Sequence, residues 1–266
     1  MKISFLIACH NAQNNLPHLV NKLLTQDNSK IIEIVISQDD GFEYHSILPK
    51  DNRIVFSESG MNSGPSKARN RALNAATGSH ICLMDSDDDI SDNFMNEVIK
   101  GLESNEAIAL NTQYIKDGNI VREFNKLLLD YENLYNFYGS VHTVAPKEWT
   151  KSYVDFVAED VLATLNVIEK NGGSLKIVDA DYKIVLHSES YCAKKGANFS
   201  DMYTNALKNV EKIQSEVRML FKDHIIKLYE DRLKMSLAFD REISRNNNAD
   251  YHDFVTKPLK KQKYRP

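Results

Sequence analysis

The sequence contains no long apolar run: nowhere do its 266 residues approach the stretch of about 20 that a membrane-spanning helix needs. Its first residues also lack the basic segment, long apolar core and small-residue cleavage site of an export signal. The expectation is a cytoplasmic protein, at most peripheral to the inner face of the cytoplasmic membrane. Cysteine is scarce. Cys9, Cys82 and Cys192 are odd in number, far apart and in no Cys-x-x-Cys pair, which fits buried thiols in a reducing compartment better than a disulfide framework. A basic excess is missing as well, with 33 Lys and Arg against 37 Asp and Glu and a net charge of −4, so no nucleic-acid partner is expected. Glycine and proline almost vanish between Phe199 and Pro258, where apolar residues recur at helical spacing. No internal repeat or extended low-complexity tract interrupts the chain.

What is present is an ordinary globular balance, 42% apolar and 26% charged. Apolar runs at Ile3–Ala8, Ile31–Ile36, Arg53–Phe56 and Ile81–Met84 read as strands. Between them, Leu16, Leu19, Val20, Leu23 and Leu24 mark one face of a helix that Asn14 or Asn15 can cap. A second helix opens at Ser63-Gly64-Pro65, carries Ala68, Ala72, Leu73 and Ala76 inward, and can close at Gly78. Strand, helix, strand, strand, helix, strand points to an α/β fold with a mostly parallel sheet. Ser91 can cap the next helix. Lys116-Asp117-Gly118 signals a hairpin, so antiparallel strands extend the sheet. Further on, Gly139–Ala145 reads as a strand and Val157–Lys170 as a helix. Val217, Leu220, Ile225, Leu228, Leu233 and Leu237 line one or two further helices. The expected organisation is a catalytic unit over 1–198, a helical extension over 199–256 and a basic, disordered tail over 257–266.

The run Ile81–Met84 stops abruptly in Asp85, Asp87, Asp88 and Asp89. A buried strand would deliver these carboxylates to one small volume, where they repel unless a cation joins them. Hard oxygen ligands suit Mn²⁺ or Mg²⁺, with phosphate oxygens completing the shell. A solvated acidic turn is the bland alternative. A calcium loop fails on spacing, since Ile90 stands where its glycine would be and Asn96 where its glutamate would be. Ligands of open α/β sheets lie beyond the carboxyl ends of the strands. Cys9-His10-Asn11 and Asp39-Asp40-Gly41 occupy two more such ends, where His10 can pack on a base and Asp39 or Asp40 can accept from it.

Four stretches together resemble family 2 glycosyltransferases. Ser4–Asn11 is similar to their opening strand, Glu33–Gly41 to their second strand with its Asp-Asp-Gly, Asn62–Asn70 to their Asn-x-Gly-x-x-x-Ala-Arg-Asn helix, and Ala76–Asp88 to their Asp-x-Asp-Asp ending. Ala8-Cys9-His10 departs from the family's Pro-Thr-Tyr, and Phe42 stands where Ser is frequent. The resemblance implies a GT-A (Rossmann-like) fold and sugar transfer from a UDP-sugar donor with Mn²⁺ or Mg²⁺. It puts the donor against Ala8, His10, Asn11, Asp39 and Asp40, and against Gly64, Arg69, Asp85 and Ser86. Asp85, Asp87 and Asp88 hold the metal, joined by His187 after the strand-like Lys183–Leu186. Arg71 and Lys67 point to solvent. Glu159-Asp160 resembles the family's Glu-Asp pair, with Asp160 as the base and Glu159 in reserve. The bland reading of that pair is an acidic helix start favoured by the macrodipole. His142 is weighed as a sugar contact against a structural role, and Lys194 and Lys195 as a phosphate-covering loop against solvated charge.

The resulting expectation is an inverting hexosyl- or N-acetylhexosaminyltransferase acting on a glycan or lipid-linked glycan acceptor of the cell surface, such as lipopolysaccharide or capsule. A sugar nucleotidyltransferase and a non-catalytic sugar-nucleotide or glycan binding module are the rivals. The C-terminal helices are expected to support peripheral membrane contact or a homo-oligomer, or simply to pack on the core.

Overall fold

The computed structural model describes residues 1–27, 31–186, 198–246 and 249–256. The chain opens with β1 (Ile3–Cys9), α1 (Leu16–Gln26), β2 (Ile32–Gln38), β3 (Ile54–Phe56), α2 (Pro65–Ala75) and β4 (His80–Asp85). It continues through β5 (Asp89–Ile90), α3 (Phe94–Leu102), β6 (Ile108–Lys116), β7 (Asn119–Glu123), β8 (Leu128–Asp130) and α4 (Tyr131–Phe137). Then come β9 (Thr143–Pro146), α5 (Glu159–Lys170), β10 (Ser174–Leu186), α6 (Phe199–Lys208), α7 (Val210–Val217), α8 (Lys222–Arg245) and α9 (Tyr251–Thr256). One sheet runs β3-β2-β1-β4-β9-β6-β10-β5, with β7 on β6 and β8 on β10. Strands β3, β2, β1 and β4 are mutually parallel, and β6 and β10 form a second parallel pair. The short β9 joins the two blocks by pairing antiparallel to both β4 and β6.

The strands at the centre alternate between two buried faces, as residues at period 2 must. Phe5, Ile7, Ile34, Ile36, Cys82 and Met84 meet Leu19, Val20 and Leu23 of α1 and Phe94 and Val98 of α3. Leu6, Val35 and Leu83 point the other way, onto Ala72 and Leu73 of α2. Beyond β9 that second face continues into a larger cluster, where Val161, Leu162 and Leu165 of α5 pack with Ala206, Ile213, Ile225 and Leu228 of the C-terminal helices. The helices after residue 198 therefore share an apolar core with α5. The tail from 257 lies outside the described residues. Among those described, no helix is long and apolar enough to cross a membrane.

Several local expectations are refined. Asp117 and Gly118 form the two-residue β6–β7 turn, both with positive φ (51° and 77°), as a primed hairpin turn requires. The strand expected over Gly139–Ala145 is shorter, starting only at Thr143. Asn93, not Ser91, precedes α3, while Ser91 Oγ accepts from Asp181 N at 3.3 Å and ties the turn to β10. Gly78 does not cap α2, which ends at Ala75 with Ala76 extended. A β-carbon at Gly78 would lie 2.8 Å from Lys2 O and 2.9 Å from Ser4 N, so glycine is needed there for close approach to β1. Leu220 and Leu237, expected to be inward, are exposed.

At the end of the sheet remote from the acidic cluster, one carboxylate holds three segments together. Buried Glu33 accepts from Lys2 Nζ, Ser4 Oγ and Thr77 Oγ1, each at 2.6 Å, and from Thr77 N at 2.7 Å. Burial alone would raise its pKa, but these four donors outweigh it and bring the group from 4.5 to about 2. A lowered folded-state pKa adds stability above the unfolded value that is lost as pH falls through the folded one. The gap corresponds to about 3 kcal/mol, lost between pH 4.5 and 2. Glu33→Gln should therefore flatten the decline in urea midpoint over that window. A variant with the wild-type pH slope would contradict this role.

Candidate active site

The carboxyl ends of β1, β2 and β4 lie side by side. Ala8 is in register with Ser37 on one side and Asp85 on the other, so the three expected strand ends share one rim. His10 is exposed just past β1, and Asn11 adopts φ 55°, which turns its N–H onto Asp40 Oδ2 at 2.7 Å. Asp40 also accepts from Phe42 N at 3.0 Å and Tyr44 Oη at 2.7 Å. Asp39 accepts from Gly64 N at 2.8 Å, Arg71 Nη2 at 2.7 Å and Ser63 Oγ. Burial works to raise both aspartates, and these donors hold both below the ordinary carboxylate range. Arg71, expected in solvent, is thus paired with Asp39. Lys67 is exposed as expected.

Arg69 is the central side chain of the site. It is 8% exposed, donates from Nη2 to Asp85 Oδ1 at 2.7 Å and from Nη1 to Glu159 Oε1, and so joins β4 to α5. It contacts two protein carboxylates, where the expected role was a donor contact. Asp160, beside Glu159, accepts from Ser140 Oγ. The two neighbours part in pKa. Burial lifts Glu159 to about 7 against the pull of Arg69. Burial also acts to raise Asp160, but Arg69, Ser140 and His142 together hold it below its usual value. At neutral pH Asp160 is ionised. Ala158, ahead of α5, takes a left-handed φ of 59°, an uncommon conformation for alanine that aims the Glu159-Asp160 pair from the helix start.

Asp85 is partly exposed, and Asp88 turns inward, accepting from Tyr182 Oη at 2.7 Å and Val185 N at 3.0 Å. Tyr182 Oη accepts in turn from Asp85 N at 2.9 Å. Burial, then the charges of Asp85 and Asp87, push the Asp88 carboxyl well above its ordinary range. Buried His142 stacks on Tyr182 at 3.9 Å, contacts Leu83 O through Nδ1 at 2.9 Å, and has no protein partner for Nε2. Asp85, Asp88 and His142 offer ligand atoms all within 4.8 Å of one another. His142 thus belongs with the acidic cluster, which its spacing from the aspartates did not reveal. Ser86 is buried in the same turn and Asp87 is half-buried, while His187, Lys194 and Lys195 lie outside the described residues. Tyr44, Ser140 and Tyr182 were not anticipated: Ser140 and Tyr182 act on Asp160 and Asp88, 20 and 94 residues away, while Tyr44 folds back onto Asp40 only four residues before it.

Removing Arg69 would strand two carboxylates. Arg69→Met should destabilise the fold at pH 8 by about 3–5 kcal/mol. The loss should shrink at pH 5, where Glu159 is protonated. Equal losses at the two pH values, measured by urea unfolding, would contradict the bridging role.

The model of glycosyl transferase family 2 matches residues 4–156. WfaP of Escherichia coli, a UDP-Glc:alpha-D-GlcNAc-diphosphoundecaprenol beta-1,3-glucosyltransferase, is 27% identical over 78% of this chain and 86% of its own. GlyA of Streptococcus pneumoniae, a glycosyltransferase, is 23% identical over 96% of this chain but only 40% of its own length. An uncharacterized glycosyltransferase of Methanocaldococcus jannaschii is 29% identical over 50% of this chain and 44% of its own. The chain therefore spans less than half the length of these last two relatives. Among solved structures, S. aureus TarS 1–349 in complex with UDP-GlcNAc superposes with a TM-score of 0.67 at 17% identity, covering 95% of this chain and 77% of that one. The fold is GT-A. The chain belongs to glycosyl transferase family 2.

Proposed function

We propose that the chain is an inverting, metal-dependent glycosyltransferase that moves a hexosyl or N-acetylhexosaminyl group from a UDP-sugar to a hydroxyl of a cell-surface glycan. The observation that carries this reading is the convergence of the Asp85 cluster and the ionised Asp160 on either side of Arg69. The donor lies along Ala8, His10, Asn11, Asp39, Asp40 and Gly64, with its diphosphate toward Asp85 and Ser86. The names of WfaP and TarS support this donor class, since UDP-Glc appears in one and UDP-GlcNAc in the other. WfaP's name also supports a lipid-linked acceptor, which would be met at the cytoplasmic face of the membrane.

The residues present fit a hard divalent cation: a partly exposed Asp85, a buried imidazole nitrogen of His142 without a protein partner, and Asp88 close to both. Asp85 and Asp87, with Asp88 and either His142 or His187, would hold Mn²⁺ or Mg²⁺, which stabilises charge developing on the leaving diphosphate. The protein's own groups do the rest. Arg69 fixes Asp85 and keeps positive charge beside the carboxylates. Ser140 orients Asp160, which takes the proton of the acceptor hydroxyl as it attacks the anomeric carbon. Glu159 has the pKa a base near neutrality needs, but Arg69 holds it on the donor side. That leaves the proton to Asp160.

Two variants separate binding from chemistry. Asp160→Asn should lower transfer by about 10²–10⁴-fold while leaving UDP-sugar affinity within a few-fold. Asp87→Asn should lower turnover by orders of magnitude with the fold intact, read as UDP released from a UDP-sugar panel with Mn²⁺. Unchanged transfer by Asp160→Asn would return the base to Glu159. Near-normal turnover by Asp87→Asn would remove the metal assignment.

A further inference from the structure

Asp160 opens α5, but the hydroxyl that orients it belongs to Ser140, 20 residues earlier on the loop between α4 and β9. A hydroxyl on a loop can aim a carboxylate only if the loop itself is held. Here the backbone is held at four successive residues. Arg232 of α8 donates from Nη2 to Gly139 O at 2.8 Å, and Ser140 N donates to Tyr114 Oη of β6 at 2.8 Å. Thr164 Oγ1 of α5 donates to Val141 O at 2.8 Å, and Leu110 N of β6 donates to His142 O at 2.9 Å.

The two anchors that flank Ser140 are buried side chains from outside α5. Tyr114 and Arg232 are each 4% exposed. The Tyr114 ring is set edge-on to Phe137, with centroids 5.9 Å apart, which fixes where its hydroxyl ends. A β-carbon at Gly139 would collide with that hydroxyl, so glycine is what lets the loop approach within hydrogen-bond reach. Arg232 comes from the helical extension, not from the sheet. Burial opposes its charge, while Tyr203, Tyr251, Tyr114 and Asp160 favour it and keep its pKa above the usual value.

We propose that Tyr114 and Arg232 are positioning residues, which clamp the Gly139–Ser140 loop from β6 and α8 and so hold the Ser140 hydroxyl against Asp160. This rests on the reading of Asp160 as the base. It gives α8 a part in the chemistry beyond its share of the apolar core. Neither side chain needs to touch a substrate: both act through Ser140. A misplacement of about 1 Å at a reacting group can cost on the order of 10²-fold in rate, which sets the scale of the effect.

The test is steady-state UDP release from UDP-Glc and UDP-GlcNAc with Mn²⁺, together with amide hydrogen exchange of the full chain. Tyr114→Phe keeps the ring and removes only the acceptor of Ser140 N. It should lower kcat by roughly 10–100-fold while the donor KM stays within about twofold. In a Ser140→Ala background the same change should cost less than about twofold further, because the path runs through Ser140. Arg232→Lys, which keeps the charge and a donor, should retain more activity than Arg232→Gln. Exchange should quicken over residues 138–142 in Tyr114→Phe and Arg232→Gln and stay unchanged along β1 and β4. Wild-type kcat in Tyr114→Phe would overturn the proposal, as would its full loss recurring on top of Ser140→Ala. Exchange quickened throughout the sheet would reduce both residues to packing and equally overturn it. Wild-type UDP release by Asp160→Asn would instead count against the base reading, and exchange over 138–142 would then decide whether the clamp exists.

Discussion

Repulsion between carboxylates is the constraint around which this molecule is arranged. Asp85, Asp87, Asp88, Glu159 and Asp160 converge on one end of the sheet, and Arg69 is the cation buried among them. The other charges are handled one by one. Asp88 is pushed toward its protonated form and is braced by Tyr182 and Val185. Asp160 is kept ionised by Arg69, Ser140 and His142 against burial. A cation at the Asp85 cluster would relieve what repulsion is left, which is why the site suits a metal-bound diphosphate.

The same bridge joins β4 to α5. Asp85 ends a strand of the parallel block on the proposed donor side, and Glu159 opens the helix that carries the proposed base. Their separation in sequence is spanned by one guanidinium. The pKa values of Glu159 and Asp160 move in opposite directions, which would suit the two adjacent acids to different roles, as in paired carboxylates of enzymes.

Much of the sheet was legible because its signals are local. Doubly buried strands read as apolar runs, Asp117-Gly118 fits only a turn with positive φ, and the acidic cluster follows directly from the end of β4. The partners of those residues were not legible, because they depend on register. His142 reaches the cluster since β9 is inserted between β4 and β6, and Tyr182 reaches Asp88 through a 13-residue β10 bulged between Val178 and Asp181. Arg71 looked solvated because helical spacing alone gives no hint that Asp39 lies within reach. In the C-terminal helices the spacing itself separates Leu228 from Leu237: they lie about 180° apart around α8, and the shared core covers only the first.

The proposed reaction is a single displacement in which one carboxylate base acts opposite the leaving diphosphate. The stereochemistry of the product tests it most directly. Proton NMR of the anomeric signal formed from an α-linked UDP-sugar should show a β-linked product. An α-linked product would contradict the account, because retention requires a second displacement or a front-face path that Asp160 does not serve.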